Sequence, residues 1–416
     1  MRARHHLCYG LLGLPLAMAA LPIYVQAPAY YADRLGLSLA LTGMVLFGAR
    51  LVDTVQDPWL GRVIDRLARR GRLAGWMLLA AICLALSFAG MWLPPAAFVA
   101  AAGPAGAAPW LLATWFGAML VAVYTAHSAL SIAYLAWGAR LADDEATLTR
   151  AAVWREGAGL VGVVLASTLP VWLLARPAGM APFAALYAVL LALGVLALLR
   201  LAPPWRNALS AVQPDWRAAL RQPRFVRLLA PYFANAVAVA IPATLALFFI
   251  NDRIGAAQHA GLFLGAYFLA GAAGLPLWTR IAARRGAARA WQLGMGLTVL
   301  AFIGAALLGP GDVAPYLAVC VLSGLALGAD LALPPVLLAE RIPADEQPAG
   351  YYGVFSLTGK LALALSGLAL PLLAGLGYQP GRPAGIELAV AYALLPCGFK
   401  LLAWWLLGRL IKEETP

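Results

Sequence analysis

"GARLVDTVQDPWLGRVIDRLARRGR", Gly48–Arg72, starts in an apolar run and ends in a basic cluster, with Arg50, Asp53 and Asp57 between. Those three are spaced i, i+3 and i+7, so a helix places them on one face. An ionised side chain at mid-bilayer costs several kcal/mol unless it is paired or faces a cavity. Two carboxylates one turn apart repel when both are ionised, and a shared proton or a bound cation relieves that repulsion. Arg50 offsets one negative charge and can orient a carboxylate. Pro58 frees a backbone carbonyl one turn earlier, a further oxygen for a cation or simply a bend. The alternatives are a coupling-ion site and an ion-pair network locking the helix to its neighbours. Both require the stretch to lie in a membrane.

Composition puts it there. The 416 residues are 63% hydrophobic and 12% charged, with a mean hydropathy of +0.81. Soluble chains carry about twice that charge. Apolar runs of membrane-crossing length fall at roughly 9–31, 39–59, 73–94, 109–138, 151–174, 180–201, 225–250, 258–279, 290–309, 314–339, 350–376 and 386–410. Lipid leaves helices as the expected element, because an open sheet edge cannot be satisfied there. The fold class is an all-α polytopic membrane protein of twelve transmembrane helices in two six-helix bundles.

The net charge of +12 does not indicate nucleic acid. Arginine clusters sit in short loops between spans, as at Arg66, Arg69, Arg70 and Arg72 or Arg280, Arg284, Arg285 and Arg289. They alternate with loops nearly bare of basic residues, which places both termini in the cytoplasm of an inner-membrane protein. Residues 202–224, "APPWRNALSAVQPDWRAALRQPR", are the longest polar stretch. They divide the chain into a bundle at 1–201, a cytoplasmic linker, and a bundle at 225–416. "ARRGRLAGW" (Ala68–Trp76) recurs as "ARRGAARAW" (Ala283–Trp291), after the second span of each half. Paired six-span halves around a central cavity are a transporter architecture.

Cys8, Cys83, Cys320 and Cys397 lie in or beside apolar runs without CxxC spacing, and read as inert small hydrophobes. The N-terminal basic-then-apolar pattern reads as a retained first span. No nucleophile–base constellation, metal-spacing motif or phosphate loop points to an enzyme, and no cofactor is expected beyond a coupling ion. The expected partners are the lipid bilayer and a small-molecule or amphipathic solute, with the chain a monomer.

Other polar groups interrupt the spans. Lys360, in "GVFSLTGKLALALSG", is apolar on both flanks and seeks a carboxylate, the Asp53/Asp57 cluster being the attractive partner. Arg155 and Glu156 open span 5, lining a cavity or pairing together. Ser128 and Ser131, one turn apart in span 4, offer hydroxyl ligands. His127 is either a proton carrier or a hydrogen-bonded structural residue. Asp330 and Lys400, in spans 10 and 12, carry no motif. Tyr24 and Gln26 are the main polar groups of span 1, and Trp137 joins them as a candidate solute contact. Gly61, Asp65, Arg66 and Arg70, in "GRVIDRLARR", have the spacing of a latch for the cytoplasmic gate, or of a topology-setting basic loop.

These motifs resemble the glycoside–pentoside–hexuronide:cation symporters of the major facilitator superfamily. "RLVDTVQDPWLG" is similar to that family's second-span signature, "YADRLGLS" (Tyr31–Ser38) to the end of its first span, and "AGYYGVFSLTGKLALALSG" with "GLGY" to its eleventh. The resemblance implies Asp53 and Asp57 as ligands of Na⁺, Li⁺ or H⁺, Lys360 beside them, and Arg155 as a sugar contact. It also marks departures. The family's sugar-binding Asp of span 1 falls on Ala17. Its polar span-4 pair falls on Ser131 and Ser128, with Ala133 in place of Pro. The implied function is cation-coupled solute symport by alternating access. The missing acidic ligand in span 4 tilts the ion towards H⁺. An apolar first span suits a lysolipid as well as a glycoside, and a non-transporting membrane receptor or assembly factor is a further alternative.

Overall fold

The computed structural model describes residues 3–102, 108–138, 145–174, 179–201, 216–343, 348–382 and 385–414. Among them every regular element is helical. The spans in chain order are span 1 Leu7–Arg34, span 2 Leu39–Arg69, span 3 Leu73–Trp92, span 4 Pro109–Gly138, span 5 Glu145–Leu174 and span 6 Ala181–Leu201. There follow span 7 Pro223–Arg253, span 8 Ala257–Arg285, span 9 Ala287–Ala306, span 10 Val313–Ala339, span 11 Gly350–Gly375 and span 12 Ile386–Glu413. Ten of these are long and apolar enough to cross a bilayer on composition alone. Spans 5 and 9 are the others. Span 5 holds Arg155 and Glu156 before its apolar part, Gly157–Pro170. Span 9 is diluted by Arg289, Gln292 and its glycines.

Span 2 runs ten residues past the apolar stretch read from the sequence. Leu60, Ile64 and Ala68 are buried, and their i, i+4, i+8 spacing gives the basic segment one apolar stripe. Gly61, Asp65 and Arg66 of the expected latch therefore stand on helix, and Arg70 in the turn that follows it. Gly71 closes that helix at φ 67, and Gly286 closes span 8 at φ 81, a conformation glycine adopts without steric cost. The repeat seen in the letters is thus also a repeat in the backbone. The sequence linker is partly helical at Trp216–Arg221, and residues 202–215 lie outside the described residues.

A second repeat emerges at the ends of spans 1 and 7. "YYADRLGL" and "FINDRIGA" each form a π-turn, Tyr30–Arg34 and Phe249–Arg253. In the first, Leu35 N–H donates to Tyr30 O and Leu37 N–H to Tyr31 O; in the second, Ile254 donates to Phe249 and Ala256 to Ile250. Gly36 and Gly255 follow at φ 76 and 70.

The chain forms two compact units, Met1–Ser38 with Gly48–Ala211, and Leu39–Phe47 with Val212–Pro416. The first nine residues of span 2 thus group with the second unit. Within the first unit, span 5 packs closely on span 1: a Cβ on Gly162 would come within 2.1 Å of Leu14 O, and one on Gly13 within 2.6 Å of Arg155 O. In the second, a Cβ on Gly324 would meet Tyr267 O at 2.3 Å, and one on Gly274 would meet Leu325 O at 2.6 Å. Lipid tails are as apolar as leucine, so backbone approach at small residues is what binds such helices. Leu78, Leu79, Ile82 and Leu86 face outward from span 3, as residues meeting hydrocarbon do.

Candidate functional site

Spans 2 and 4 bring the first-unit polar groups together. Asp53 is 6% exposed. Its Oδ1 accepts hydrogen bonds from Ser128 Oγ at 2.9 Å and Gln56 Nε2 at 3.0 Å. Gln56 Oε1 in turn accepts from Thr125 Oγ1 at 2.7 Å. The two helices are therefore joined by a polar chain, Asp53–Gln56–Thr125, closed by Ser128. Gln56 is three residues from Asp53, and Thr125 is three from Ser128, so each helix presents one polar face. Asp57 is half-buried one turn further along span 2.

Arg50 is 2% exposed and reaches towards span 1. Its Nη2 donates to Tyr24 O at 3.4 Å, and its guanidinium lies 5.6 Å from the Tyr24 ring centroid, within cation–π range. Tyr24 stacks on Tyr124 of span 4 with centroids 6.0 Å apart. Tyr24 lies in the π-turn Pro22–Gln26, where the extra residue per turn alters the direction of the side chains. Thr54 Oγ1 donates to Arg50 O at 2.7 Å, anchoring the hydroxyl within span 2.

The other sequence candidates fall at several places. Gln26 is buried, and its Nε2 donates to Ala166 O at 2.8 Å, tying span 1 to span 5; its Oε1 has no hydrogen-bond partner among the described residues. Trp137 is buried, Arg155 and Ser131 are half-buried, and Lys360 is half-buried in span 11 of the second unit. Gly61 is half-buried, Arg66 and Arg70 are exposed, and the side chains of Asp65 and Glu156 lie outside the described residues. His127 Nε2 stands 3.1 Å from Leu16 O, which gives it a structural partner. Ala17, the span-1 position at which the sequence resemblance expects an acidic residue, lies 3.4 Å from the position a Cβ on Gly159 would occupy, against a glycine of span 5.

Gln56, Thr125 and Tyr124 were not singled out from the sequence. Their signal is the shared face: Gln56 lies between the two carboxylates, and Thr125 lies one turn before Ser128. No group of three or more His, Cys, Asp or Glu side chains able to hold a metal occurs among the described residues.

The fold has solved relatives. The nucleoside transporter NupG superposes with a TM-score of 0.73 at 13% identity, over 99% of this chain and 100% of that one. A bacterial homologue of the iron transporter ferroportin, in an inward-facing state, gives 0.66 at 16% identity over 98% of both chains. At these identities the likeness is one of fold. No curated protein matches the chain by sequence. The family model described as MFS/sugar transport protein matches residues 7–411. That span takes in both units and the charged face of span 2, and the chain belongs to the MFS/sugar transport protein family, membrane transporters of the major facilitator type.

Proposed function

We propose that this transporter is a cation-coupled symporter of a small organic solute, working by alternating access. Asp53 and Asp57 take the coupling H⁺ or Na⁺, with Ser128 Oγ and Gln56 as neighbouring polar groups. The observation that carries the reading is the Asp53 carboxylate, buried between spans 2 and 4 with two hydrogen-bond donors and a second carboxylate one turn away. Two carboxylates one turn apart repel when both are ionised, and a bound proton or cation relieves that repulsion. Lys360 is included as the charge that answers these carboxylates when the ion is absent, on the strength of the sequence resemblance. Gly61, Asp65, Arg66 and Arg70 serve the cytoplasmic gate.

The test is uptake into proteoliposomes under imposed Na⁺ or pH gradients, for the parent and for Asp53→Asn and Asp57→Asn. Both variants should lose gradient-driven accumulation. Full accumulation in both would sink the cation site.

A glycoside-like solute follows from the resemblance, with Tyr24, Gln26, Trp137 and Arg155 as its contacts. One observation favours a second reading, a lysolipid or other amphiphile. Ala17 packed against Gly159 leaves span 1 without the acidic hydrogen-bonding group a sugar needs there. Thermal stabilisation by lysolipids and not by glycosides would select that reading; the reverse would select the first.

A further inference from the structure

The second unit contains a buried charge that the proposed transport site does not use. Lys400 of span 12 is 1% exposed. Its Nζ donates to Asp330 Oδ2 of span 10 at 2.5 Å and to Asn235 Oδ1 of span 7 at 2.6 Å. The other carboxylate oxygen of Asp330 accepts from Trp291 Nε1 of span 9 at 2.9 Å. Four spans each supply one member. Ala234, Ala329, Leu333, Met295, Ala403 and Leu407 are buried in the core around Trp291, and Tyr267 and Cys397 lie near enough to interact electrostatically with Asp330 and Lys400.

This is the chemistry of a cation site. One carboxylate and one amide oxygen converge on a monovalent ammonium, and an indole N–H holds the carboxylate in place from behind. The halves of the chain are repeats, and the repeat equivalent of Trp291 is Trp76. Trp76 Nε1 has no hydrogen-bond partner among the described residues. In the first unit the acids stand on span 2 instead, at Asp53 and Asp57, and their span-4 neighbours are neutral hydroxyls.

We infer that Asp330, Asn235 and Trp291 form a monovalent-cation site in the second unit, occupied by the chain's own Lys400 ammonium. This site is thus permanently loaded, and an exchangeable ion has no place in it. Ion dependence then does not arise here. The contrast with the first unit rests on the proposed Asp53/Asp57 site; the tethered ammonium does not.

The inference is tested by emptying the site and refilling it. Lys400→Ala leaves a buried carboxylate without its counter-charge, and its Tm should fall by about 10 °C. Methylammonium chloride should restore most of that loss. Tetramethylammonium chloride, which has no N–H to donate, should not. The parent should respond equally to the two salts, and Lys400→Ala carrying Asp53→Asn and Asp57→Asn should still be rescued. That last variant separates this inference from the first-unit ion site, because rescue without the span-2 acids is expected whether or not they couple transport.

Should Lys400→Ala give no folded protein, the neutral pair Asp330→Asn with Lys400→Met removes both charges. It should fold and show no methylammonium response. A parental Tm in Lys400→Ala, equal rescue by both salts, or failure of the neutral pair to fold would each overturn the tethered-cation reading.

Discussion

Asp53 holds its position through two donors, and each can be removed singly. Ser128→Ala takes away the 2.9 Å hydrogen bond and leaves the Gln56 amide. Losing a hydrogen bond to a charged group costs about 1.5–3 kcal/mol. Apparent affinity for the coupling ion should shift roughly 10-fold or more, weaker for Na⁺, which loses a hydroxyl ligand, and tighter for H⁺, which no longer competes with that donor for the carboxylate oxygen, with folding yield unchanged. Uptake as a function of ion concentration measures it; a parental half-saturation would show that Ser128 does not touch the ion site. His127 makes the opposite case. Its ring nitrogen faces Leu16 O, so His127→Gln, which keeps an N–H donor, should leave the pH profile of uptake in place. A displaced profile would return His127 to the proton path. The charged residues of this site were legible because ionised groups in apolar runs stand out. Gln56 and Thr125 were not, since neutral polar side chains are common in spans and only the crossing of two helices gives them partners.

The helices meet through glycine, and the contacts discriminate between glycines. A Cβ on Gly162 would come within 2.1 Å of Leu14 O, whereas one on Gly157 meets nothing within 4 Å. Both lie in span 5. Gly162→Ala should lower stability by about 1–3 kcal/mol, the usual cost of overpacking, and Gly157→Ala should be near neutral or slightly stabilising. Thermal unfolding in detergent compares the two; equal effects would mean that spans 1 and 5 separate readily. Helix lengths were readable from hydropathy over the twelve runs, and their ends less so. Span 2 continues to Arg69 because Leu60, Ile64 and Ala68 make one stripe on an otherwise basic segment, a pattern that a hydropathy average erases. The Asp330–Lys400 pair escaped for a different reason. Its members are distant in sequence and carry no spacing, so only the fold reveals them.

The architecture of the whole chain follows from arginine placement, and that makes topology testable. The turn after span 2 holds Arg70 and Arg72, and the helix ends on either side of Gly286, between spans 8 and 9, hold Arg284, Arg285 and Arg289. The positive-inside rule predicts that both face the cytoplasm. Single cysteines at Arg72 and Arg285, in a background with Cys8, Cys83, Cys320 and Cys397 replaced, should resist an impermeant thiol reagent in whole cells and react in inverted vesicles. Labelling from outside would invert the topology. The two-bundle plan was legible from one repeat at these same loops. The repeat at Tyr30–Leu37 and Phe249–Ala256 was harder to see, because the letters agree only at Asp-Arg and a following glycine. In three dimensions it is plain. Each copy carries one residue more than its helical turn requires, at the same place in its half. Independent insertions would have little reason to coincide, along with the glycine that follows. The extra residue is thus a second mark of the two-fold repeat, one that the backbone carries and the letters nearly hide.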